Sequence, residues 1–204
     1  MTAEAVILKM ESSSSLPDWA FPPPQGYVAE DLDHIPDLPA HTELIDGSLV
    51  FVSPQQRFHH NVIFGLHQAL ADAALDHLQV CQEMTVKLGP KQRPEPDLIV
   101  LGPEAPSDEA VTCYQAKDVI LAVEVVSPDS EERDRKRKPT LYAEAGIPHF
   151  WRIEKASALP VVYVYELDPA TGTYIGTGVH HDRLKLTVPF DIDIDLTALG
   201  RRRK

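Results

Sequence analysis

One acid stands inside a nearly continuous apolar run of eight residues. Val119-Ile120-Leu121-Ala122-Val123-Glu124-Val125-Val126 is aliphatic throughout except for Glu124. Burying a carboxylate is costly unless it is paired or holds a metal ion. Two readings are therefore open: Glu124 lies at a strand end and meets solvent or an arginine, or it belongs to a site. A second acid, Asp97, opens the short run Asp97-Leu98-Ile99-Val100-Leu101, behind Pro96. Two acids on neighbouring strands can converge on one cation, and oxygen ligands of this hard kind suit Mg2+ or Mn2+. Water bound to such an ion is a stronger nucleophile. Positive charge follows the Glu124 run, in Arg133, Arg135, Lys136, Arg137 and Lys138. Lys138 and Tyr142 are four apart and share a face if a helix includes both. A lysine near a metal-bound water stabilises developing negative charge. Judged by charge alone, a solvated cluster balanced by Asp129, Glu131, Glu132 and Asp134 is the better reading.

Other chemistries lack their signatures. The nine histidines are scattered, with His59-His60 and His180-His181 as adjacent pairs, and no HExxH pattern occurs. There is no GxSxG elbow and no GxxxxGK loop. Cys81 and Cys113 are far apart and belong to no CxxC, so neither a disulfide framework nor a cysteine zinc site is indicated.

The elements that must position these residues are legible to different degrees. The Glu124 run, with its β-branched content, reads as a central strand buried on both faces. The segment 97–101 reads as a short strand. Asp46-Gly47 between two apolar-rich runs reads as a tight hairpin over 42–52. Residues 57–77 read as a long helix, with Val62, Leu66, Ala69, Leu70 and Ala73 at three- and four-residue steps and Gly65 marking close packing. A strand region spans 78–88. A second helix covers 139–145, with Pro139 in its first turn and Gly146 as its stop. A short helix is expected at 30–35. The last third is strand-rich, at 150–154, 161–167, 174–177 and 184–188, and acid and apolar residues alternate over 191–195.

The 204 residues, 43% apolar and 25% charged, suffice for one ordinary domain with extra strands. The expected division is an N-terminal tail at 1–28, with a serine run at 12–15 and Trp19 and Phe21 as anchors, one domain at 29–200, and a basic tail at 201–204. No membrane span and no signal pattern is evident, and the cysteine usage fits a reduced, cytoplasmic setting. Thirty-one acids against 19 Lys and Arg give a net charge of -12. A nucleic-acid partner must then be met by a local basic patch inside a repulsive field.

The ordered string Pro96-Asp97, then LAVEVVSP at 121–128, then DRKRKPTLYAEAGIPHFW at 134–151 resembles the Uma-two family, a branch of the PD-(D/E)XK nuclease superfamily. ELIDG at 43–47, Ser53-Pro54 and His60 are similar to that family's N-terminal half, and the likeness runs from about Trp19 to Leu199. The resemblance implies a restriction-endonuclease-like α/β core: a mixed central sheet flanked by helices, with extra antiparallel strands. It implies that Asp97, Glu124 and the Val125 carbonyl hold Mg2+ or Mn2+ for hydrolysis of DNA phosphodiesters. The superfamily's usual lysine, two residues after the Glu, is replaced by Val126, and the resemblance implies that Lys138 supplies the amine instead. Glu43, His60 and Tyr142 are accessory candidates, while His59 matches no family position. The family and the mechanism of a double-strand cut point to a homodimer. The competing reading, carried by Val126 and the net charge, is a nuclease fold kept as a non-cleaving binding or assembly module.

Overall fold

The computed structural model describes residues 16–199. The serine run and the basic tail at 201–204 lie outside the described residues. Two short 3-10 helices, Asp18–Ala20 and Ala29–Asp33, the second near the helix expected at 30–35, precede β1 (Thr42–Ile45) and β2 (Ser48–Phe51), the expected hairpin. Asp46 and Gly47 take φ values of 54° and 76°, the doubly positive turn that Asp-Gly tolerates. α1 (Arg57–Ala73) follows, then β3 (Gln79–Gln82), β4 (Thr85–Lys87), β5 (Leu98–Leu101), β6 (Cys113–Gln115) and β7 (Val119–Val125). A π turn (Arg133–Arg137) runs directly into α2 (Lys138–Glu144). β8 (His149–Ala156), β9 (Leu159–Asp168), β10 (Thr173–His180), β11 (Arg183–Leu186), β12 (Ile192–Asp195) and the one-turn α3 (Leu196–Leu199) complete the order.

The central sheet has six strands in the order β10-β9-β8-β7-β5-β3. β7 and β8 are parallel, joined across the π turn and α2; the other neighbours are antiparallel. Small antiparallel pairs, β1-β2 and β11-β12, and the parallel pair β4-β6 flank it. Alternation along β7 sends Leu121, Val123 and Val125 into one apolar core with Val62, Leu66 and Leu70 of α1, Trp151 of β8 and Leu199 of α3. Ala122 points into the opposite core, with Ile99, Phe150 and Tyr142 of α2. A Cβ at Gly65 would lie 3.0 Å from the Leu199 side chain, so the expected close packing on α1 is against α3.

Three expectations are corrected. The strand region 78–88 is two strands, broken at Glu83, whose φ of 50° no strand continues; β3 joins the central sheet and β4 pairs with β6. The helix expected at 139–145 begins earlier: residues 131–144 are helical throughout, with a π turn before Pro139. The Lys138 N–H reaches back to the Arg133 carbonyl, a five-residue step, so Pro139 starts a fresh α-helical register in which its missing N–H costs little. Residues 16–28, read as tail, lie along the hairpin: Tyr27 donates through its N–H to Gly47 and through its hydroxyl to the Trp19 carbonyl. The Trp19 ring packs tilted against Phe51, with centroids 5.2 Å apart, whereas Phe21 is exposed.

Candidate active site

Alternation on β7 places Glu124 on the same face as Ala122, at the C-terminal end of the strand where the apolar core stops. The same rule puts Asp97, one residue before β5, on the side of Ile99. Leu98 pairs with Val123, which brings the end of β5 beside the last residues of β7. The Asp97 carboxylate accepts the Val125 N–H at 2.6 Å. Glu124 is 2% exposed, so the strand-end reading in which it meets solvent does not hold.

The π turn and α2 deliver the third group. Asp134, Lys138, Leu141, Tyr142 and Ala143 are the buried residues of this continuous helical stretch, the first four at the spacing of one helix face. The Lys138 ammonium is 4% exposed as a residue and sits among three carboxylates: Glu43 at 2.8 Å, Glu124 at 3.1 Å and Asp134 at 3.6 Å. The Tyr142 hydroxyl donates to Glu124 Oε1 at 2.5 Å. Asp134 accepts from the Ser130 hydroxyl, while its Oδ1 is buried and has no hydrogen-bond partner among the described residues. Glu43 comes from β1, and its carboxylate accepts the Glu95 N–H at 2.9 Å. The hairpin is held against the π turn by Arg137, which grips Asp46 through both carboxylate oxygens.

Of the accessory candidates, Glu43 and Tyr142 are in the cluster and His60 is not. His60 is exposed and stacks 6.5 Å from Phe64. Its neighbour His59 is buried and contacts Asp97 Oδ1 through Nε2 at 3.1 Å. Helix geometry explains the exchange. His59, Val62, Leu66 and Leu70 form the buried stripe of α1, and His60 is rotated about 100° from it. Two members, His59 and Asp134, were not singled out from the sequence. The stripe on α1 and the four-residue step from Asp134 to Lys138 to Tyr142 are the signals that mark them.

The electrostatics follow from four carboxyl groups facing one ammonium in a cavity of about 40 Å³. Burial holds the Glu124 carboxyl well above its ordinary range against the pull of Lys138, and Asp134, Asp97 and Glu43 push the same way. Burial also raises Asp134, opposed by Lys138 and Ser130. For Lys138, burial favours the neutral amine, but the surrounding carboxylates win and hold it well above the lysine range. Burial pulls His59 down, and its bond to Asp97 outweighs that, leaving it raised.

Among the described residues, no three His, Cys, Asp or Glu side chains are gathered as a ready-made metal-ligand set. The Lys138 ammonium holds the centre of the carboxylates instead. The donor chemistry nevertheless fits a hard divalent ion: the ligand groups are carboxylates, they exceed the local positive charge, and Asp134 Oδ1 is left without a donor.

The comparisons agree with this architecture. Residues 29–198 match the model of the Uma2 family, described as "Putative restriction endonuclease". A similar solved structure is the crystal structure of "a putative nuclease belonging to DUF820" from Anabaena variabilis ATCC 29413. It is 16% identical, covering 83% of this chain and 96% of that one, with a TM-score of 0.64. That likeness shows the fold, an α/β core built on a mixed central sheet. No curated protein matches the chain. No helix among the described residues is long and apolar enough to cross a membrane.

Proposed function

The chain belongs to the Uma2 family, and from that premise we propose that it is a divalent-metal-dependent endonuclease hydrolysing phosphodiester bonds of DNA. The observation that supports this most is the amine at Glu124: with Val126 in the place of the superfamily's lysine, Lys138 reaches the same carboxylate from the neighbouring helix at 3.1 Å. Asp97, Glu124 and the Val125 carbonyl are the proposed holders of Mg2+ or Mn2+. When bound, the ion polarises a phosphate oxygen and lowers the pKa of a coordinated water.

The chain's own groups divide the remaining work. Asp97 is fixed by the Val125 N–H and by His59, so its carboxylate has little freedom to swing. Tyr142 holds Glu124 from beneath. Lys138 stays protonated, ready to offset negative charge as a water oxygen bonds to phosphorus and the opposite P–O bond breaks. Glu43 anchors Lys138 from β1 at 2.8 Å. A concerted double-strand cut takes two such sites, and a homodimer is the assembly this reading expects.

Plasmid nicking with Mg2+ or Mn2+ tests the proposal. The wild type is expected to nick, and Asp97→Ala and Glu124→Ala to lose about 10²-fold or more. Equal nicking by all three proteins would mean that the site is elsewhere or the activity a contaminant. A second reading, a non-cleaving module, is favoured by one feature: both oxygens of Asp97 and of Glu124 are already engaged by groups of the protein. Calorimetric titration separates the two, since a folded chain that binds neither ion at millimolar concentration supports the module.

A further inference from the structure

We propose that Arg133 binds the backbone phosphate of the nucleic acid at the carboxylate cavity; the inference deepens the nuclease reading and rests on it. Seven arginines lie among the described residues. Five are paired with carboxylates: Arg93 with Asp33, Arg135 with Glu131 and Glu154, Arg137 with Asp46, Arg152 with Glu154, and Arg183 with Asp193. Arg57 is exposed at the start of α1. Arg133 alone is half-buried in the wall of the carboxylate cavity without an ion pair among the described residues.

Its Nε is buried and has no acceptor among the described residues. A buried donor left unmade costs about 1–3 kcal/mol. The acids that line the cavity do not relieve this: none accepts from Arg133 Nε among the described residues, and most are held by other groups. Lys138 and Tyr142 hold Glu124, Val125 and His59 hold Asp97, and Ser130 holds one oxygen of Asp134. The missing partner is therefore an acceptor from outside the protein. A guanidinium presents a planar fork matched to two phosphate oxygens.

The neighbouring residue strengthens the argument. Asp134 Oδ1, 3.6 Å from the Lys138 ammonium, makes no hydrogen bond among the described residues, so consecutive residues of the π turn leave one donor and one acceptor without a hydrogen bond at the same cavity. Phosphate accompanied by a divalent cation complements both at once. A five-residue turn of this kind is common at functional sites, and here the break in helical register at Pro139 sets it. The overall charge of -12 repels polyanions, so an unpaired cation at the reaction centre is where attraction is needed. A contact to phosphate carries no base information, so Arg133 favours any nucleic-acid backbone that reaches the cavity.

The test uses the full chain, with Arg133→Ala, Arg133→Lys and, as a control at an exposed residue paired only with Glu132, Lys136→Ala. Nicking with Mg2+ is measured across KCl concentrations, and thermal melting checks folding. For Arg133→Ala, kcat/KM is expected to fall about tenfold or more, and the slope of log kcat/KM against log salt to fall by about one. Arg133→Lys keeps the slope but recovers little of the rate, since an ammonium cannot fork; it carries the test if the alanine variant does not fold. Lys136→Ala matches the wild type. Wild-type kcat/KM and slope in Arg133→Ala overturn this inference and leave the nuclease reading intact. If the wild type does not nick at all, that reading fails, and anisotropy with a labelled 20-base-pair duplex decides Arg133 separately: binding weakened about tenfold in Arg133→Ala supports it, and equal binding or none overturns it.

Discussion

On one side of β7, Leu121, Val123 and Val125 meet α1, β8 and α3 through apolar surface alone; on the other, Ala122 is followed within two residues by Glu124 and its ring of charges. The first side gains from burial and has no polar accounts to settle. The second buries three carboxyl groups around one ammonium, with Asp97 half-buried beside them, and in such clusters the loss of hydration rivals the mutual attraction. The aliphatic side therefore holds the strands in register, while the charged side spends part of that stability on keeping reactive groups together. Stability and activity are expected to separate along this line.

The sharpest break in the comparison is Lys138→Met. Removing one partner from a buried ion cluster costs about 3–5 kcal/mol, and nicking is expected to be lost with it. The loss has a characteristic pH dependence. Glu124 and Asp134 have raised folded-state pKa values, so their contribution is fully present below the unfolded values of about 4.3 and 3.9 and is lost as pH rises through the folded ones. Lys138, also raised, adds stability that is present below about 10.4 and disappears above its folded value. In the wild type this offsets the carboxyls at neutral pH. Thermal melts of Lys138→Met from pH 4 to pH 8 are expected to fall steadily, and those of the wild type much less. Parallel curves would show that the four acids do not share their charge through Lys138.

On the aliphatic side, Leu66→Ala is expected to cost about 2–5 kcal/mol, read from urea unfolding at two pH values. The deficit is the same at both, and kcat per folded molecule is unchanged. A pH-dependent deficit would mean that the two sides are coupled. The finest comparison is between adjacent histidines. His59→Ala removes the contact to Asp97 and is expected to lower kcat/KM about tenfold, the value of one lost hydrogen bond to a charged group. His60→Ala stays within about 0.5 kcal/mol in stability and keeps wild-type nicking. Equal effects would place the work of α1 outside its buried stripe.

Legibility followed the same division. The apolar run of β7, the Asp-Gly turn and the stripe on α1 are local patterns, and the structure contains all three. Asp97, Glu124 and Lys138, read from the ordered string of residues, come together at one end of the sheet. A likeness aligned by residue type points to His60 rather than His59, because it ignores the step of about 100° that puts one inward and the other outward. Composition places Asp134 among surface charges, because it cannot tell a paired exposed acid from a buried one. The helix before Pro139 is not legible, because proline normally stops a helix and the five-residue turn that accommodates it leaves no periodic trace.

The amino-acid order by itself determined the hairpin, the buried stripe of α1 and the apolar strand β7, and which acids stand where apolar residues are expected, because side-chain direction within an element repeats every two or 3.6 residues. Only the tertiary structure decided that Glu43, Asp134 and His59 complete the cluster and that Arg133 is left without a partner. Those meetings depend on how β1, α1 and the π turn are set against the end of β7, and contacts between elements far apart in the chain are fixed by packing, which no local period encodes.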